Sequence, residues 1–159
     1  MTKTFNGEFD KFLNKLKNGE NFAFNRFSDG EFFIDGKPDG MLTAEVFGWT
    51  GHILVTPRTR LSEALKRKES SYTGLYILIG ELNEEPLAYI GESESIAARI
   101  KNHDAKKDWW SRAILITSAA NNLHKAHVQY LESKLVQVAI SAGNTKLENE
   151  KNPSIPSLP

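Results

Sequence analysis

Two short apolar runs in the second half of the chain, each with a tyrosine and a glycine, constrain the fold more than any other feature. The first is Leu75–Ile79, preceded by Gly74, and the second is Leu87–Ile90, followed by Gly91. Their length and their β-branched and aromatic residues are typical of strands, and the polar stretch 81–86 indicates a turn between them. The pattern therefore predicts an antiparallel β-hairpin.

Helical and strand patterns surround this hairpin. They predict a helix at 7–17, short strands around the aromatic residues between 22 and 34, a strand at 52–56, a helix at 60–68, a helix capped by Ser93, a strand at 112–117 and a helix at 122–142 ended by Gly143. Three prolines after residue 151 predict an extended tail. Periodicity predicts these helices and strands of an α+β protein but not how they assemble.

The composition is that of an ordinary globular domain. The chain has 159 residues, of which 40% are hydrophobic and 25% charged, and it has no cysteine. No apolar run approaches the roughly 18 residues of a membrane span, and the start of the chain does not resemble a secretory signal. We therefore expect one compact domain in the cytoplasm, with no disulfide, no thiolate metal site and no membrane partner.

Charge argues against indiscriminate binding to nucleic acid. Twenty basic residues balance twenty acidic ones, so local clusters must supply any affinity for phosphate. The densest basic cluster contains Arg58, Arg60, Lys66, Arg67 and Lys68. It is either a nucleic-acid contact or a solvated helix face, and the sequence does not separate the two.

Glu132 interrupts an apolar stripe on the last predicted helix, where its neighbours at helical spacing are Val128, Leu135 and Val136. Bare burial of a carboxylate is costly, so such a group is usually paired, neutralised or at the rim of a cleft. The three interpretations are an ion pair with Arg99, a side chain that extends to solvent, and ligation of a metal ion.

The order Gly74-Leu75-Tyr76 and then Tyr89-Ile90-Gly91 resembles the signature of the GIY-YIG nuclease superfamily. Arg99, eight residues after Gly91, and Glu132 fall where that family has its arginine and its metal-binding glutamate. The segments 49–52, 57–61 and 122–127 resemble a bacterial branch of the superfamily, and the likeness runs from about 35 to 153.

The resemblance implies an α+β fold with a small three-stranded antiparallel sheet flanked by helices. The nuclease-like domain would occupy 70–152, after an N-terminal α/β extension at 1–69 and before a proline-rich tail at 153–159.

The implied activity is that of a divalent-metal-dependent endonuclease that hydrolyses DNA phosphodiester bonds. Glu132 would bind Mg²⁺ or Mn²⁺, and Arg99 would stabilise negative charge on the phosphate. Tyr76, Tyr89 and His103 would place water and protons, with the role of each tyrosine left open. These groups are expected to converge on one water-accessible hollow. One departure is Glu92, where some relatives have a lysine.

The candidate nucleic-acid contacts are Arg58, Arg60, Lys125, His127 and Asn149. The expected partner is duplex or single-stranded DNA. Two alternatives are a non-cleaving nucleic-acid-binding module of the same fold and a protein-interaction module whose N-terminal extension binds a partner.

Overall fold

A computed structural model describes residues 31–33, 40–44, 50–143 and 145–149, with the backbone alone at 31–33 and 44. The strands are β1 (Glu31–Phe33), β2 (Leu42–Ala44), β3 (Gly51–Pro57), β4 (Gly74–Leu82), β5 (Glu85–Ser93), β6 (Trp110–Ser118) and β7 (Lys146–Leu147). The α-helices are α1 (Leu61–Ala64), α2 (Ile96–Lys106) and α3 (Lys125–Ala142), and Arg58–Arg60 and Lys68–Ser71 are 3₁₀ segments. The predicted helix at 7–17 and the tail at 153–159 lie outside these ranges.

The described strands form one sheet in the order β1-β2-β3-β6-β4-β5-β7. The α+β class and the predicted antiparallel hairpin of β4 and β5 are confirmed, and β6 pairs antiparallel with β4. The expected size of three strands is wrong, because the described residues form a sheet of seven. The sheet therefore continues across the predicted boundary at residue 69.

Strand β3 joins β1 and β2 to the part of the sheet that contains the hairpin. It pairs antiparallel with β6 along its whole length, from Gly51 opposite Ser118 to Pro57 opposite Arg112. The central residues of β6 are buried, so unpaired backbone groups on that edge would be costly, and β3 satisfies them. The apolar pattern predicted this strand but did not show which strand it pairs with.

Each face of the sheet carries its own core. On one face, the isoleucines of β4, β5 and β6 pack against α3 through Val128, Leu131 and Leu135. On the other face, Tyr76 and Leu78 pack with Ile96 and Ile100 of α2. Because side chains alternate along a strand, neighbouring residues of β4 and β5 belong to different cores. This alternation decides which helix each candidate site residue meets.

Two of the predicted helix boundaries are wrong. The N-cap of α2 is Ser95, whereas the hydroxyl of Ser93 binds the backbone of Ser95, accepting from its N–H at 3.0 Å. The predicted helix at 60–68 shortens to α1, where the Ala64 carbonyl accepts a bond from the buried Ser70 hydroxyl at 2.6 Å. The predicted stop of α3 at Gly143 is confirmed, with a φ of 67°. Among the helices of the described ranges, none could cross a membrane.

The β4–β5 turn is tight and strained. Asn83 and Glu84 both have positive φ, 53° and 66°. Two positive φ values in a two-residue hairpin turn are the mark of a type I′ turn, for which Asn-Gly is the preferred pair. Asparagine tolerates this conformation, but glutamate carries the full steric cost of its Cβ.

We predict that Glu84→Gly raises the free energy of unfolding by about 0.5–1 kcal/mol, because relief of the left-handed strain exceeds the added chain entropy of glycine. Urea denaturation of the two proteins measures the difference. Glu85→Gly is the matched control: it removes the same charge one residue later, inside β5, and should destabilise the protein. Equal effects of the two substitutions would contradict the strain argument.

Candidate active site at the edge of the sheet

The two motif segments meet directly across the hairpin. Tyr76 on β4 lies opposite Gly91 on β5, and its side chain is 0% exposed. A Cβ at Gly91 would lie 2.3 Å from the phenol oxygen of Tyr76 and 2.4 Å from its Cζ. The ring therefore lies against the backbone at a place where only glycine fits. This close approach gives the glycine of Tyr89-Ile90-Gly91 a packing role.

Four of the five predicted catalytic side chains form one cluster on the α2 face. The phenol oxygen of Tyr76 is 2.8 Å from Nε2 of His103. The ring centroid of Tyr89 is 4.9 Å from that of His103 and 6.2 Å from that of Tyr76. Arg99, one helical turn before His103, interacts with both phenol groups. The predicted convergence of the arginine, the histidine and the two tyrosines is therefore present.

Electrostatics within this cluster keep His103 neutral. Burial lowers the pKa of His103 to about 4, and Arg99, Lys107 and Lys106 add to the effect. Burial also raises the pKa of Tyr76 above its usual value, although Arg99 opposes this. Contact with Tyr76 raises the pKa of Arg99 in turn. At neutral pH the Arg99 guanidinium therefore lies beside the Tyr76 phenol and a neutral imidazole.

The cluster has a buried side and an open side. Tyr76 and His103 are buried, with His103 only 6% exposed, whereas Tyr89 is half-buried and Arg99 is exposed. Solvent or a ligand can therefore reach Arg99 and Tyr89 first. Tyr76 and His103 form a second layer beneath them.

Glu132, on α3, belongs to a separate acidic group that also contains Glu92 of β5 and Lys125. It is half-buried, and burial raises its pKa to about 7, with a further increase from Glu92 and an opposing effect of Lys125. The ammonium of Lys125 lies 2.9 Å from each carboxylate oxygen of Glu92. The neighbours that affect Glu132 are thus Glu92 and Lys125, so the structure does not show the ion pair with Arg99 that the sequence left open.

The two groups approach β5 from opposite faces of the sheet. Gly91 lies under Tyr76 on the α2 face, and the next residue, Glu92, lies on the α3 face. On the outer side of β5, strand β7 pairs with Leu87 and Ala88, and the side chain of Asn149 binds Ile90. The expectation of a single hollow is therefore wrong. One cluster lies beside Gly91 and the other beside Glu92, just beyond Ile90, where the pairing with β7 and Asn149 ends.

Two of the predicted nucleic-acid contacts, Arg58 and Arg60, form interactions within the chain. Arg58 donates to Asp104 Oδ1 at 2.8 Å and to the Trp110 carbonyl at 3.1 Å, and its guanidinium lies 4.4 Å from the Trp110 ring centroid. Arg60 forms an ion pair of 2.6 Å with Glu63. Arg58 thus joins the segment after β3 to α2 and β6.

The other three also have partners within the chain. Lys125 pairs with Glu92, and Nδ1 of His127 accepts a bond of 3.3 Å from the backbone N–H of His124 at the start of α3. The amide of Asn149 accepts from the N–H of Ile90 at 3.1 Å and donates to its carbonyl at 2.6 Å. Their predicted role in binding nucleic acid stays a prediction.

Sequence reasoning missed Lys107 and Glu148. The ammonium of Lys107 lies 4.8 Å from the ring centroid of Tyr89 and forms an ion pair with Glu148. Lys107 follows His103 by one helical turn, a spacing that could have drawn attention to it. No local pattern marks Glu148.

Comparison with known proteins adds no relative. No family model matches the sequence, and no curated protein and no solved structure gives a significant match. A function is therefore inferred from the geometry of the cluster and from the resemblance of the two motifs.

We predict that Gly91→Ala lowers the free energy of unfolding by about 1–3 kcal/mol, because the added methyl group overlaps the Tyr76 phenol. The displaced phenol should also lose its bond to His103, which a shift of the His103 ring signals in NMR spectra would report. Gly143→Ala is the control, since that position is open and only its positive φ is strained. A His103 spectrum unchanged in Gly91→Ala would contradict the proposed contact.

We predict that Glu132→Gln becomes increasingly stable relative to the parent as the pH rises from 4 to 8. The folded parent keeps the Glu132 proton up to about pH 7, whereas the unfolded chain loses it near the usual 4.5. In that window the folded state binds more protons, so the stability that this group contributes falls as the pH rises.

His103 acts in the opposite direction but is present in both proteins, so its effect cancels in the difference between them. Thermal unfolding across the pH range measures the difference. Glu81→Gln, at an exposed carboxylate, is the control for removal of a charge. A difference between Glu132→Gln and the parent that does not change with pH would show that the Glu132 carboxyl group is not held protonated.

Proposed function

We propose that this protein is a divalent-metal-dependent endonuclease that hydrolyses DNA phosphodiester bonds at the outer edge of β5. The resemblance of Gly74-Leu75-Tyr76 and Tyr89-Ile90-Gly91 to the GIY-YIG signature suggests the reaction class. The observation that supports it most is the cluster in which Tyr76 binds His103 while Arg99 lies beside both phenols.

Arg99 is the group best suited to contact the phosphate. Its guanidinium is exposed and carries donors whose geometry matches phosphate oxygens. Placed beside the reacting phosphorus, it would stabilise the negative charge that develops when water attacks. The adjacent phenols hold this side chain at the mouth of the cluster.

The two tyrosines receive different roles. Tyr89 is half-buried, so its hydroxyl can contact and orient the attacking water. Tyr76 is fully buried with a raised pKa, which makes it a poor base. Its hydroxyl can instead donate to His103 Nε2, since the neutral imidazole accepts there when its proton is on Nδ1.

His103 therefore serves as an acceptor that fixes the Tyr76 hydroxyl. A pKa of about 4 lies about three units below neutral pH, which is too far for an efficient general base. The pair of Tyr76 and His103 would accordingly support Tyr89 and Arg99 from beneath.

The divalent cation would bind at Glu132, close to Glu92. Besides burial, the nearby Glu92 raises the pKa of Glu132, so the two carboxyl groups lie close enough to interact, and Lys125 opposes this effect. In the part of the chain that the structure describes, no three His, Asp or Glu side chains are grouped to hold a metal. A single carboxylate suits Mg²⁺ or Mn²⁺, since Mg²⁺ in particular keeps several waters. Such an ion at Glu132 would polarise the phosphate and lower the pKa of bound water.

We predict that the protein nicks supercoiled plasmid DNA in the presence of Mg²⁺ or Mn²⁺ and that Glu132→Gln lowers the rate by at least about a hundredfold. The reason is that the amide cannot hold the cation as the carboxylate does. Glu81→Gln is the matched control at an exposed carboxylate and should retain the parent rate. Circular dichroism would verify that each variant is folded.

The same assay separates the alternatives. DNA binding that needs no metal and leaves the plasmid intact would favour the non-cleaving module. Self-association or a protein complex without any DNA shift would favour the protein-interaction module. Nicking by Glu132→Gln at the parent rate would exclude this residue as the metal ligand.

A further inference from the structure

Lys107 lies at the end of α2 and is directed toward the proposed site. Its ammonium is 4.8 Å from the ring centroid of Tyr89, a distance typical of a cation–π contact. Its backbone N–H donates to the His103 carbonyl at 2.8 Å, which ties the end of the helix to the cluster. The side chain is only 21% exposed, so the contact is partly shielded from water.

The segment 146–149 holds Lys107 in this position. Glu148 donates its backbone N–H to the Ala88 carbonyl at 2.8 Å, and its carboxylate forms an ion pair with Lys107. Asn149 binds both backbone groups of Ile90. Segment 146–149 thus binds the backbone on both sides of Tyr89, at Ala88 and Ile90. The same segment binds Lys107 through the carboxylate of Glu148.

We infer that Lys107, oriented by Glu148, is a positioning residue that sets the ring of Tyr89. This inference deepens the nuclease proposal and depends on it for its catalytic part. Tyr89 is the only half-buried ring of the described cluster of Tyr76, Tyr89 and His103, so packing alone constrains it least. An ammonium over one face restricts the ring and keeps its hydroxyl aimed at the site that Arg99 borders.

The chemistry at this position requires a cation. A neutral side chain of similar length could pack on Tyr89 but would lose both the attraction to the ring and the ion pair with Glu148. Arginine keeps both, because its guanidinium also stacks on aromatic faces and pairs with carboxylates. Lys107→Gln and Lys107→Arg therefore separate charge from bulk.

The experiment compares the parent with Lys107→Gln, Lys107→Arg and Glu148→Gln, and uses Lys101→Gln as the control for loss of an exposed lysine on α2. The first measurement is the NMR spectrum of tyrosine rings labelled with ¹³C, without DNA or metal. We expect the Tyr89 signals to shift and broaden in Lys107→Gln and, to a smaller extent, in Glu148→Gln. Lys107→Arg and Lys101→Gln should retain the parent signals.

The second measurement is kcat and KM for plasmid nicking. A misplaced Tyr89 should lower kcat roughly ten- to a hundredfold in Lys107→Gln with little change in KM, and Lys107→Arg should recover most of the loss. A purely structural ion pair would instead lower thermal stability and leave both the ring signals and kcat unchanged. That result would overturn the inference.

Inactivity of the parent protein is a distinct outcome. It would refute the nuclease proposal and the catalytic part of this inference with it. The ring signals would still decide whether Lys107 positions Tyr89, since they need neither substrate nor metal. Unchanged signals in Lys107→Gln would refute that positioning whatever the activity.

Discussion

The contact of the Tyr76 phenol with the bare backbone of Gly91 is the interaction on which the candidate site depends. The phenol oxygen lies so close to Gly91 that any side chain there would displace it. The ring lies against the neighbouring strand, and its hydroxyl reaches His103 on α2. Arg99 and Tyr89 then border the same pair. A bulkier residue at 91 would move the phenol and, with it, the geometry of the whole cluster.

The sheet imposes a second constraint, since it separates the acid from the phenols. Alternation along β5 directs Gly91 to the α2 side and Glu92 to the α3 side. A substrate that uses both groups must therefore bridge the margin of the sheet. On the α2 side of that margin the Tyr76 ring lies over Gly91, and the pairing by β7 and Asn149 extends only as far as Ile90. The nuclease proposal requires a phosphate bound across this margin.

Local patterns predicted the parts of the structure that local physics determines. The hairpin followed from two apolar runs around a polar turn, and the end of α3 followed from Gly143. The grouping of Arg99 and His103 with the two tyrosines followed only from the resemblance of the motifs. Contacts between residues far apart in the chain were not predictable in this way. Arg58 and Asp104 are 46 positions apart, and Asn149 and Ile90 are 59 apart. The residues next to Arg58 and Asn149 in the sequence give no sign that these side chains have hydrogen-bond partners far away in the chain.

Asn149 has a further consequence for the exposed margin of the sheet. Its amide gives Ile90 one acceptor and one donor, the same two partners that the backbone of an incoming strand would offer. Unpaired backbone on an outer strand invites association with other chains. A single side chain thus closes β5 at Ile90 to such association, without the rigidity that a longer strand would impose on the neighbouring Gly91.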